Sequence, residues 1–428
     1  MVDRQLTNGI RVLIAPNMKT PLVEIAFALP FGSWAETEPG AASIALSTVA
    51  KATALHDEKA LAEELDRYAI HVSAFASHDE SRVQLSCLAD AVERGFSLLG
   101  EIVKQPAFPE RAFKTVLNQT ATELKIAESD PASLADQELW KQIFPGHPYG
   151  LRVTGESSDL TKLRRADAAD FWSRIARPEH ARLIMSGALT EERGLQLAKR
   201  FFESWSPVRT VPFQKPSPFV ANPHPNRIFL RNWPGAGQTE IRMGCAGLAY
   251  ADRDAPVANL VSSYFGGSYG SRLMKALRID KGSTYSSHGG FELRRFAGAF
   301  TVSTFTKTDS TAETMRTMLS QLQELCEQPP SPAELNMHRQ AFVGSAAARL
   351  ETPGQLVNEL ARITLNDLPL EYLQRRFAII ASANADQCDA LVHRFINPTN
   401  LVIVVVGDSA RLTNQLQSIA PITLLQRE

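Results

Sequence analysis

"PEHARLIMSG" (residues 178–187) and "PTNLVIVVVG" (residues 398–407) each run from a proline to a glycine through an apolar, strand-like centre, at an offset of 220. Each follows an amphipathic helical stretch, in which Phe171, Arg174 and Ile175 correspond to Leu391, Arg394 and Phe395. A second pair, "QPAFPERAF" near 105 and "QPPSPAELN" near 328, shares a helix end, prolines and an acidic helix start at an offset of 223. Two matched pairs at nearly one spacing read as an internal duplication. Between the copies, "PVRTVPFQKPSPFVANPHPN" (207–226) carries six prolines, whose fixed φ angles and missing donors exclude helix and sheet. The expected organisation is therefore a first domain over 1–206, a proline-rich linker over 207–226 and a second domain over 227–428.

Within a copy the periodicity changes block by block. "VSAFASHDESRVQLSCL" (72–88) beats every second residue around a polar centre, as in a hairpin, whereas Leu88, Val92, Phe96, Leu99 and Val103 share one helical face. The second copy repeats this, with "FAGAFTVSTFTKT" (296–308) strand-like and 311–327 helical. Strands and helices in blocks make each copy an α+β domain.

The global numbers exclude several classes. With 45 Lys plus Arg against 46 Asp plus Glu and 44% apolar residues, the chain of 428 residues has an ordinary globular composition and no nucleic-acid signature. Its apolar runs, such as "LVIVVV" (401–406), fall far short of a bilayer span. Cys87, Cys245, Cys326 and Cys388 are scattered singly without a C-x-x-C pair, so they read as buried free thiols rather than a disulfide framework or zinc knuckle. No basic and apolar leader precedes the Asn8-Gly9 turn.

The order of elements, the duplication and three segments resemble the pitrilysin/insulinase family of zinc peptidases. The segments are "FGSWAETEPGAASIALSTVAKAT" (31–53), "HPYGLRVTGESSDLTKL" (147–163) and "FGGSYGSRLMKALRIDKGSTYS" (265–286). In that family the helix after the glycine carries H-x-x-E-H, two zinc-binding histidines one turn apart with a glutamate acting as base. Aligning Gly40 puts those positions on Ser43, Leu46 and Ser47. A hydroxyl is a poor zinc ligand beside imidazole, and leucine takes no proton, so the stretch reads as an ordinary core helix. The family's third ligand, a distal glutamate, matches Glu123, here a remnant. His71 and His78, seven apart on a strand-like stretch, point to opposite faces, and His147 belongs to the "GHPYG" loop, so no other cluster replaces the site. No metal is expected in this chain.

The C-terminal half retains a different feature. In "SRLMKALRIDKGSTYSS" a helix bearing Arg272, Leu273, Leu277 and Arg278 breaks at Lys281-Gly282, and the chain re-emerges as a strand carrying Tyr285. By spacing alone, Arg278 is a cation at a helix C-terminus and Tyr285 a strand aromatic. The resemblance reassigns them as the Arg/Tyr pair that completes an active site whose zinc is borne by another half. Ile279, Ser283 and Thr284 depart from the family's R-E-x-x-G-L-A-Y, while Arg, Gly and Tyr stay in register. The preceding glycines match neither a Walker motif nor G-x-G-x-x-G, and read as a turn that lets a peptide strand or another backbone approach closely.

The resemblance thus implies half of a clam-shell peptidase: a non-catalytic, substrate-binding and activating subunit, inactive alone, contributing Arg278 and Tyr285 to a paralogous partner with H-x-x-E-H and zinc. Its substrates would be peptides or unfolded polypeptides, in a bacterial periplasm or otherwise the cytoplasm. The alternative it implies is a catalytically dead scaffold or core-type structural subunit that binds peptides or partner proteins. With no G-x-S-x-G elbow and no base near Ser43 or Ser47, an independent hydrolase of another class finds no support.

Overall fold

The computed structural model describes residues 1–206, 213–216, 226–345 and 348–426. The stretch read as a linker, 207–226, lies outside the described residues except for 213–216 and Asn226.

Two six-stranded sheets carry the fold. The first runs in the order β1 (Val2–Gln5), β2 (Arg11–Pro16), β6 (Arg182–Gly187), β3 (Leu22–Leu29), β5 (Ser81–Leu88), β4 (His71–Ala76). The second runs β12 (Ile422–Leu425), β7 (Arg227–Asn232), β11 (Val402–Gly407), β8 (Gln238–Gly247), β10 (Gly298–Lys307), β9 (Ser287–Glu292). β6 lies parallel to β2 and antiparallel to β3, and β11 lies in the same way between β7 and β8. The two proline-to-glycine stretches are therefore the same central strand in two copies, and the fold is a duplicated α+β unit. The expected hairpin is β4 and β5, paired antiparallel from His71↔Ser86 to Ala76↔Ser81.

The chain forms two compact units, and neither is one continuous stretch. One gathers Met1–Lys125, Arg152–Lys215 and Ala347–Tyr372; the other gathers Ile126–Leu151, Pro216–Ala346 and Leu373–Glu428. The helix Pro353–Leu365, from the second half of the sequence, covers one face of the first sheet: Val357, Leu360, Ala361 and Leu365 pack on Leu13, Ala26, Ala28 and Ile184. The other face of β3 meets its own half, with Phe27 stacked on Phe202 at 6.3 Å. In the second unit the helix Pro131–Ile143, from the first half, lays Leu134, Ala135, Leu139 and Ile143 on Phe229, Ala299, Val402, Val404 and Val406. Ile403 and Val405, on the opposite face of β11, join the core with Val261, Phe265, Met318 and Leu391. Every residue of β11 is buried because helices lie on both faces of the sheet. Burying each Val or Leu side chain contributes roughly 1.5–3 kcal/mol, so these helices are structural necessities for the sheets they cover.

Both covering helices start alike. Asp130 accepts the Ser133 N–H at 2.9 Å ahead of Pro131, and Thr352 accepts the Gln355 N–H at 3.3 Å ahead of Pro353, while Gln355 answers with a bond from the Thr352 N–H at 3.1 Å. A capping side chain followed by proline at the first helical position satisfies the loose N–H groups and pre-sets φ.

The four cysteines are free, as read from the sequence, but Cys245 and Cys326 are half-buried rather than buried like Cys87 and Cys388.

Candidate functional site

The helix Ala41–Val49 begins at Gly40, whose φ is +89° and whose missing Cβ leaves room for the Thr154 carbonyl, 2.6 Å from where that atom would stand. A left-handed angle and a backbone contact both demand glycine there. Glu36 closes the helix start: its carboxylate accepts the Gly40 N–H at 3.2 Å and the Ala42 N–H at 2.9 Å. Burial pushes its carboxyl up to about 8, against the pull of those two bonds.

On this helix Leu46 is 1% exposed and packed in the core, Ser43 is half-buried and Ser47 is exposed. Glu123 lies exposed on the helix Glu110–Glu128. Neither hydroxyl nor isobutyl offers a zinc donor, so these positions do not fit the metal. Among the described residues no group of three His, Cys, Asp or Glu side chains is placed to hold a metal ion. His71 sits in β4, but His78 lies in the turn between β4 and β5, not on a strand face. His147 is a capping residue: its Nδ1 accepts the Tyr149 N–H at 3.1 Å, and burial, helped by the nearby Arg294 charge, pulls its imidazole below the usual range.

The C-terminal candidates stand on a different kind of helix from the one expected. After one α turn, Arg272–Met274, the chain widens into a π-helix over Lys275–Asp280, and Arg278 lies within it, exposed. Such widenings are uncommon and frequent at functional sites. The helix ends as the Ser283 N–H reaches the Leu277 carbonyl at 2.9 Å and Gly282 takes a φ of +60°. Tyr285 precedes β9 instead of lying in it, and is 81% exposed. The ring beneath the Arg278 guanidinium is that of Tyr269, with the guanidinium carbon 5.4 Å from the ring centroid. Sequence reasoning missed Tyr269; the signal was an aromatic residue in a glycine-rich loop, where no core claims it.

The glycines of that loop serve backbone approach. A Cβ on Gly266 would stand 2.4 Å from the Gly289 nitrogen, and the Gly289 N–H donates to the Gly266 carbonyl at 3.3 Å. The Phe291 N–H is taken up by the Ser262 hydroxyl at 2.8 Å. The edge strand β9 thus has two outward N–H groups sealed by the end of the helix Ala255–Phe265. β4, the equivalent edge of the first sheet, differs. Among the described residues, none of its residues hydrogen-bonds outside the pairing with β5. A cleft of about 700 Å³ in the first unit, lined by Lys104, Gln105, Phe108, Trp172 and Trp205, includes none of these residues.

Comparison with known proteins bears on the family and the fold. The insulinase (peptidase family M16) model matches residues 11–157, and the peptidase M16 inactive domain model matches residues 162–342. A Bacillus subtilis protein named uncharacterized zinc protease YmxG is 22% identical over 88% of this chain and 90% of its own length. A Helicobacter pylori protein named non-peptidase homolog YmxG is 19% identical over 82% and 80%. The crystal structure of a peptidase M16 inactive domain from Pseudomonas fluorescens superposes with a TM-score of 0.89 at 21% identity, covering 95% of this chain and 98% of that one. The chain belongs to peptidase family M16, the insulinase family, as an inactive member.

Proposed function

We propose that this chain is the substrate-binding and activating subunit of a heterodimeric zinc peptidase, silent alone and completed by a paralogous subunit that carries H-x-x-E-H. The observation that carries the reading is an imbalance between the halves. Where the family has a zinc motif, this chain has a buried leucine and two serines; where the family has its Arg/Tyr pair, it presents Arg278 and Tyr285 to solvent. Among the described residues the Arg278 side chain has no hydrogen bond and no acidic partner, so its planar set of donors is available to a ligand.

Zinc held by the partner would supply the activated water, and this chain would supply binding. Tyr285 offers one O–H donor and Arg278 several N–H donors to the peptide main chain and to a carbonyl oxygen as it gains charge. An extended peptide would add to β4, whose outer edge is open, rather than to β9, whose edge is sealed by Ser262 and Gly266. Addition through main-chain bonds favours unfolded substrates.

The test is to purify the tagged chain from its native host and assay the eluate on a quenched fluorescent peptide with and without chelator. The expected result is a stoichiometric H-x-x-E-H partner and chelator-sensitive cleavage that the chain alone lacks. Arg278→Ala or Tyr285→Phe is then expected to lower turnover by roughly 100- to 1000-fold. Unchanged turnover in the double variant, or recovery in a non-peptidase assembly, would remove the reading.

A further inference from the structure

Two arginines six residues apart lie over tyrosine rings in the second unit, and they differ in what their donors do. Arg272 lies over Tyr264 at 5.3 Å, but its Nε and Nη2 bind the Glu334 carboxylate at 2.9 and 2.7 Å and its Nη1 binds the Gln328 carbonyl at 2.9 Å. Tyr264 is 1% exposed. That stack is part of the core. Arg278 lies over Tyr269 at nearly the same separation, 5.4 Å, with no donor engaged, and Tyr269 is 66% exposed. A ring so exposed gains little by packing. The contact its ring makes is with the guanidinium, whose carbon lies over it.

A cation–π contact holds a guanidinium over the ring without using up a hydrogen-bond acceptor, so its N–H donors can still serve a ligand. An arginine on a solvent-exposed helix otherwise samples many rotamers, and that freedom is lost when a ligand binds. The loop is fixed on its N-terminal side by Gly266 against β9, and the Ser271 N–H donates to the Ser268 carbonyl at 3.2 Å, so Tyr269 projects from a held turn.

We propose that Tyr269 is a positioning residue for Arg278, pre-setting the guanidinium edge for a carbonyl or carboxylate of a bound peptide; this rests on Arg278 being a peptide-binding residue. The experiment measures anisotropy of fluorescein-labelled oxidised insulin B chain with the full-length protein and its Arg278→Ala, Tyr269→Phe, Tyr269→Ala and Tyr269→Ala/Arg278→Ala variants. Arg278→Ala is expected to weaken binding about 10- to 100-fold, as for loss of charge-assisted hydrogen bonds. Tyr269→Ala is expected to weaken it about 2- to 5-fold, the worth of an exposed cation–π contact, and Tyr269→Phe to restore it. In the Arg278→Ala background the Tyr269→Ala change is expected to have no further effect.

The failures are separable. No binding by the unaltered protein, or full binding by Arg278→Ala, removes the peptide-binding reading and the inference with it. Loss in Arg278→Ala with additive or absent effects of Tyr269→Ala overturns the positioning role alone. A Tyr269→Phe variant as weak as Tyr269→Ala makes the hydroxyl a direct peptide contact and likewise overturns it.

Discussion

Glu36 holds its proton far above the ordinary carboxylate range although two backbone N–H groups point at it, because burial outweighs them. The native state therefore keeps a proton that the unfolded chain releases as pH rises from the ordinary value near 4.5 towards about 8. Over that window folding stability falls with rising pH, and below it the group contributes no pH dependence. At about 1.4 kcal/mol per unit, the full shift sets an upper bound of roughly 5 kcal/mol on the loss. Thermal melts of the protein and of Glu36→Gln are expected to diverge across the window, the wild type losing ground as pH rises; parallel curves would refute the shift. Leu46 makes the second residue-scale point. A glutamate there, as the family motif requires, would enter a site with 1% exposure. Leu46→Glu is expected to cost about 3–5 kcal/mol, read as a lowered melting temperature. An unchanged melt would mean that this face of the helix opens to water. That the helix Ala41–Val49 lacks metal donors was legible in its residue types, whereas the contact of Tyr269 with Arg278 became visible only once the ring was placed.

At the scale of elements, the uninterrupted run 401–406 already said that β11 is covered on both faces, since a half-exposed strand alternates. It did not say what covers the second face. That information sits in the paired starts at Asp130-Pro131 and Thr352-Pro353, where a cap and a proline recur at nearly the repeat spacing. The π-helix was not legible at all. Leu273 and Leu277, four apart, fit an α-helix as well as a π-helix, and the widening is a matter of backbone bonds. The crossing helices make a prediction of their own. Leu360→Ala and Leu139→Ala each remove a fully or almost fully buried side chain, at a cost of about 2–5 kcal/mol. Amide exchange is expected to quicken in β3 and β6 for Leu360→Ala, and in β8 and β11 for Leu139→Ala. Exchange that quickens only in the strands of each helix's own sequence half would contradict the exchange of helices between halves.

For the molecule as a whole, the duplication says where one copy ends, but a copy is not a self-sufficient folding unit. Each half of the sequence holds all six strands of one sheet, yet keeps the helix that covers the other. A chain cut in the proline-rich stretch gives fragments 1–215 and 216–428, and each lacks the helix its own sheet needs. The uncovered face of the first sheet would expose Leu13, Ala26, Ala28 and Ile184, and that of the second Phe229, Val402, Val404 and Val406. Apolar surface of that kind drives association or loosening of the sheet. Separately produced fragments are therefore expected to aggregate or to melt without cooperativity, and to recover a cooperative transition and a 1:1 complex when refolded together, by calorimetry and size-exclusion chromatography. Two fragments that each fold alone, with sharp transitions and no mutual affinity, would show that the crossing helices are dispensable and that the sequence copies are the true structural units.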